Sequence, residues 1–176
     1  MLVGRTGLSP VMVGRAAELD RLVALAGARP VPSVALVAGE AGIGKTRLVQ
    51  ELVAAMAPGT LVLAGQADPG SVGRPMELFL DALRGTDVGE HADLLAAVRD
   101  DERSTDERVR AAVELVRHLA QGRVGLVVLE DLHWADAESL ALVERLAEPE
   151  SGRLLVVGTY RPDGLSRRHP AADLLP

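Results

Sequence analysis

The chain has 176 residues, 48% of them apolar and only 2% aromatic, and carries a formal net charge of −6. These totals predict one globular unit with an aliphatic core and exclude a disordered chain. The acidic balance argues against direct nucleic-acid binding by this segment, and the absence of cysteine excludes disulfides and cysteine-built zinc sites.

Residues 1–11 read as a flexible N-terminal tail running through Ser9 and Pro10, and residues 12–176 as the folded unit. The N-terminus lacks an apolar segment of signal-peptide length, and no apolar run approaches the ~18 residues of a membrane span. The expectation is a soluble, cytoplasmic protein with no membrane partner. "VGR" occurs at 3–5 and again at 13–15, and only the second copy leads into a helical pattern, "AAELDRLVALAGA". Its Leu19, Leu22, Val23 and Ala26 fall on one face.

Four short apolar runs follow: "SVALVAG" (33–39), "TLVLAG" (60–65), "VGLVVLE" (124–130) and "RLLVVGT" (153–159). Continuous apolar runs of this length predict strands buried on both faces, as in a parallel sheet. Helices separate them. "KTRLVQELVAAMA" stops before Pro58 and Gly59; "STDERVRAAVELVRHLAQG" opens with a capping box, Ser104 with Glu107, and closes at Gly122. "AESLALVERLA" follows Asp136, which is placed to cap its first turn, and ends before Pro149. This alternation predicts an α/β fold. The charge run "RDDERSTDER" (99–108) reads as a solvated loop entering a helix, and no site is assigned to it.

Chemistry concentrates at the end of the first run. Gly39, Glu40, Ala41, Gly42, Ile43, Gly44, Lys45 and Thr46 fit GxxxxGK[ST] between a predicted strand and a predicted helix, the context that gives this motif meaning. Glycines let successive main-chain N–H groups turn inward toward phosphate oxygens, and the helix adds its unpaired N-terminal amides. Thr46 supplies a hydroxyl for Mg²⁺, and Arg47 is counted with the nucleotide contacts. Lys45 is the only lysine in the chain; the other basic residues are all arginines. A compact ammonium reaches between phosphates where a planar guanidinium fits poorly, which explains the exception.

Such a loop requires acids at the end of another buried strand, and "GLVVLEDLHWAD" provides Glu130 on the magnesium side and Asp131 to polarise water. Asp136 reads as a helix cap ahead of a catalytic acid, Trp134 as a packing residue ahead of a base-stacking platform, and His133 as a structural or surface residue ahead of a phosphate sensor. His91, His118 and His169 have no partner at metal-ligand spacing. Arg161, just past the fourth run, could project toward a γ-phosphate or serve only as a surface residue.

Together, "VGRAAELDRL", "GEAGIGKTRLVQEL", "VVLEDLHWAD" and "LLVVGTYRPD" resemble the nucleotide-binding domain of the STAND branch of AAA-like P-loop ATPases, as in large LuxR-type transcriptional regulators. The resemblance runs from about Met12 to the end of the chain. It implies a three-layer α/β P-loop sandwich with a mainly parallel sheet in the order 5-1-4-3-2, and ATP or ADP with Mg²⁺ as cofactors. It places Val13, Gly14 and Arg15 beside the adenine, Glu130 on magnesium, Asp131 on the water and Arg161 as the sensor of the γ-phosphate. Two departures stand out. Glu130 replaces the usual Asp, moving the carboxylate by roughly 1.5 Å, and Asp131 is shorter than the Glu of faster relatives, which implies slow turnover. The chain also stops at "HPAADLLP", before a fifth strand or helical lid, so the resemblance implies an incomplete core. Self-association through the open strand from Ser33, or C-terminal effector domains, would then be the remaining partners. The implied function is a nucleotide switch for signal transduction or transcription regulation. The competing reading is a non-hydrolysing nucleotide-binding or interaction module; a metabolic kinase is weaker, since no acceptor site is evident.

Overall fold

The computed structural model describes residues 14–27, 33–70, 73–148 and 153–164. Val13, the tail at 1–11 with the first "VGR" copy, His169 and the terminal "HPAADLLP" lie outside the described residues. The elements are α1 (Ala16–Gly27), β1 (Ser33–Ala38), α2 (Lys45–Ala55), β2 (Leu61–Gln66), α3 (Glu77–Ala82), α4 (Ala92–Arg99), α5 (Thr105–Ala120), β3 (Gly125–Glu130), α6 (Ala137–Leu146) and β4 (Leu154–Tyr160). All four expected strands are present within one or two residues of the apolar runs.

The strands form one parallel sheet in the order β1-β4-β3-β2. This is the implied 5-1-4-3-2 order over the four strands described. Every residue of the central strands β3 and β4 is buried. Alternation along them shows why. Leu126, Val128, Leu155 and Val157 pack with Leu22 of α1 and Leu48, Val49 and Leu52 of α2. Val127, Leu129, Leu154 and Val156 face the opposite way, against Phe79, Leu115 and Leu142 from α3, α5 and α6. The result is a three-layer α/β/α sandwich, because side chains on both faces of a strand need helices to cover them.

The helix boundaries follow their caps. Ser104 accepts from Glu107 N while the Glu107 carboxylate accepts from Ser104 N, completing the capping box of α5. Asp136 caps α6 by accepting from Ser139 N at 2.9 Å. Two helices between β2 and β3, α3 and α4, lie where the sequence reading assigned no element. α3 has six residues and begins after Met76, which is fully buried at φ +58°. That strained entry is held from outside the segment, by Met76 N donating to Asp136 Oδ1 at 2.9 Å. No local helix signal announces it.

The charge run at 99–108 divides. Arg103 and Asp100 pair on the surface, as expected for a solvated turn. Arg108 does not follow that reading: it is buried and pairs with Asp101 and with Glu138 of α6. A charge at a helix's inner face requires partners, and these come from two other segments.

Candidate functional site

The carboxyl ends of the parallel strands converge at one edge, where open α/β sheets place their ligands. β1 runs into the loop at 39–44, whose first amide, Gly39 N, donates to Tyr160 O at 3.2 Å and so extends the ladder with β4. The loop then turns back on itself. A Cβ at Gly39 would lie 2.8 Å from Ile43 Cγ2, and Gly42 and Gly44 have φ of +77° and +93°. Both the close approach and the left-handed backbone demand glycine. Gly44 is the N-cap of α2 and offers no side-chain cap, so the first-turn amides of an 11-residue helix open toward the loop. Ile43 stands at the loop tip, exposed, with Glu40 and Ala41 also at the surface.

Lys45 is buried, and its Nζ donates to the loop's own carbonyls, Gly39 O at 2.7 Å and Glu40 O at 3.0 Å. Burial pushes its pKa below the usual lysine range; Asp131 opposes that shift, while Arg161 and Arg15 add to it. One ammonium thus feels Asp131, Arg161 and Arg15, residues drawn from three separate parts of the chain.

Thr46 Oγ1 donates to Glu130 Oε2 at 2.6 Å, joining the start of α2 to the end of β3. Glu130 is buried. A hydroxyl and a carboxylate meeting at a helix N-terminus are the hard oxygen donors that Mg²⁺ takes, so these side chains fit the ion that the motif implies. Asp131 follows in the left-handed conformation, φ +60°. Its N donates to Thr159 Oγ1 of β4 at 3.0 Å, and its Oδ2 accepts from Gln66 Nε2 of β2 at 2.8 Å. Gln66 and Thr159 escaped sequence reading. Each is a polar residue at or just past the end of an apolar run, and nothing but the strand order says which acid it meets.

Arg161 begins the segment after β4, half-buried, and its Nε finds no acceptor among the described residues. Arg47 pairs with Glu51 one turn along α2. Gly14, at φ +79°, and Arg15 precede α1. Arg15, Glu18 and Arg21 line a cavity of about 300 Å³ floored by Leu22, Leu36 and Leu48, beside the end of β1. His133 is buried against the turn after Arg161, and Trp134, expected to pack, is more than a third exposed and tilts against His133 at 5.2 Å. His91 and His118 stack at 4.3 Å, and no cluster of three or more metal-ligating side chains occurs among the described residues. No described helix is long and apolar enough to cross a membrane.

The family model of the AAA ATPase domain matches residues 11–157. Among solved structures, the chain is similar to that of the Aeropyrum pernix Orc1 protein in complex with DNA, with 23% identity and a TM-score of 0.52 over 93% of this chain. At that identity the likeness concerns the fold, and the chain spans 44% of that relative's length. No curated protein matches. The glycine-rich turn, the sheet order and a match across most of the sequence agree: this chain belongs to the AAA ATPase domain family.

Proposed function

We propose that the chain is an ATP-binding, slowly hydrolysing nucleotide switch of the kind found in signal-transduction and LuxR-type regulator ATPases. One observation carries the reading: the 2.6 Å bond between Thr46 Oγ1 and Glu130 Oε2, which brings the phosphate loop's hydroxyl to the acidic strand end. The amides at the start of α2 and the Lys45 ammonium would hold the β- and γ-phosphates. To do so, Lys45 exchanges its bonds to Gly39 O and Glu40 O for phosphate oxygens. Thr46 and Glu130 would hold Mg²⁺, which when bound neutralises phosphate charge. Asp131 would orient the attacking water, Arg161 would read the γ-phosphate, and Arg15 with Gly14 would border the base at the cavity beside β1. Arg47 contributes from the first turn of α2.

The regulator context is supported by the "VGRAAEL" and "HWAD" stretches flanking the motif elements, which are more specific than the phosphate loop alone. A specific observation also favours the non-hydrolysing alternative. Gln66 Nε2 donates to Asp131 Oδ2 at 2.8 Å, a bond that competes with water for that oxygen. Release of labelled phosphate from ATP, wild type against Asp131→Asn, separates the two. A fall of at least about tenfold on losing the carboxylate supports hydrolysis through Asp131; an unchanged rate removes Asp131 from the chemistry, and binding without any turnover leaves a nucleotide-binding module.

A further inference from the structure

We infer that His133 is a positioning residue for Arg161: its buried ring is the seat on which the turn carrying that arginine rests. The inference deepens the proposed function, since it takes Arg161 as the reader of the γ-phosphate.

The contact is a matter of space. His133 is 2% exposed and lies in the single turn Leu132–Trp134, directly after Asp131. Across from it is the turn Pro162–Gly164, directly after Arg161. A Cβ on Gly164 would fall 2.7 Å from His133 Cδ2, 3.0 Å from Cγ and 3.1 Å from Cβ. The main chain at 164 therefore lies close against the Cβ–Cγ–Cδ2 edge of the His133 side chain. Gly164 is not among the glycines at positive φ, so close approach is what excludes a side chain there.

The His133 side of this contact is fixed. The His133 turn is closed by Trp134 N donating to Asp131 O at 2.8 Å and Ala135 N to Leu132 O at 3.1 Å. Leu132 behind it is fully buried against Gly158 of β4, where a Cβ would come within 2.5 Å of Leu132 Cδ1. On the other side, Gly164 N donates to Arg161 O at 3.1 Å. A shift at Gly164 is thus passed through one short turn to the main chain of Arg161. The ring thereby links the loop after β3, which holds Asp131, to the residue after β4, which holds the guanidinium.

The test compares nucleotide preference. The 176-residue chain is titrated by calorimetry, with Mg²⁺, against ADP and against an ATP analogue with nitrogen at the β–γ bridge. Arg161→Ala is expected to reduce the preference for the triphosphate about tenfold, the loss of one charge-assisted contact. Gly164→Ala and His133→Ala are expected to lose most of the same preference while ADP affinity stays within about twofold, because the phosphate loop is untouched. His133→Phe, which keeps a flat ring, is expected to retain it. Retention by both Gly164→Ala and His133→Ala, or equal loss in His133→Phe and His133→Ala, would overturn the seat while leaving Arg161's role intact. An Arg161→Ala protein with unchanged preference would instead remove the sensor reading, and the seat with it. Should Gly164→Ala fail to bind ADP, the alanine and phenylalanine pair at 133 decides.

Discussion

Thr46 and Glu130 stand 84 positions apart in the chain, yet the threonine hydroxyl donates to the carboxylate at 2.6 Å. The bond exists because β1 and β3 flank β4 in a parallel sheet, which brings their carboxyl ends to one edge. In the proposed switch both oxygens would turn to Mg²⁺. Thr46→Val is therefore expected to cut the gain in ATP affinity that Mg²⁺ confers by about tenfold, leaving metal-free affinity nearly unchanged. Titrations with and without chelator measure both. An undiminished Mg²⁺ gain would remove Thr46 from the ion's coordination.

The amide of Gln66 engages Asp131 Oδ2. Gln66→Leu frees that oxygen without touching the phosphate loop, so ATP affinity should hold within about twofold while turnover rises. Phosphate release under single-turnover conditions is the measure. A fall in rate would mean that Gln66 orients the acid for catalysis.

Asp136 is buried and accepts three bonds: Ser139 N at 2.9 Å, Ser139 Oγ at 2.5 Å and Met76 N at 2.9 Å. Replacing it by alanine removes the cap of α6 and leaves the Met76 amide buried without an acceptor. The expected destabilisation is about 2–4 kcal/mol, the sum of a lost cap and an unsatisfied donor. Urea unfolding of Asp136→Ala checks this; a loss comparable to that of an exposed cap would mean that the Met76 segment contributes nothing.

Burial holds the His133 pKa below the ordinary 6.5, against the attraction of Asp131. Between 6.5 and that lower value the unfolded chain binds a proton that the folded chain refuses. Stability contributed by the neutral imidazole is present above that window and declines as pH falls through it. Unfolding measured from neutral to mildly acidic pH should show His133→Phe losing less stability than the wild type on acidification. Parallel curves would place the acid sensitivity elsewhere.

The parts of this molecule that were legible in its sequence are those with local causes. β3 and β4 are legible because burial on both faces leaves no room for alternation, β1 and β2 through their short apolar runs, and α5 and α6 carry their caps within four residues. The glycines of the phosphate loop were legible through the backbone shape they permit. α3 is not legible because it is six residues long and begins at a strained methionine anchored from α6's cap, and α4 because its N-cap, His91, makes no side-chain cap bond. Arg108 was misread because its partners, Asp101 and Glu138, come together only in the fold. Gln66 and Gly164 act on residues 65 and 31 positions away, and no motif encodes either contact.

In the proposed switch the loop at 39–46 grips a nucleoside triphosphate, with Lys45 as its cation. Calorimetric titration of Mg²⁺–ATP into wild type and Lys45→Ala tests it directly. The expected result is saturable binding by the wild type, weakened at least about tenfold by the substitution, as befits loss of a charge-assisted contact. Equal affinity of the two proteins, or no binding by either, would contradict it.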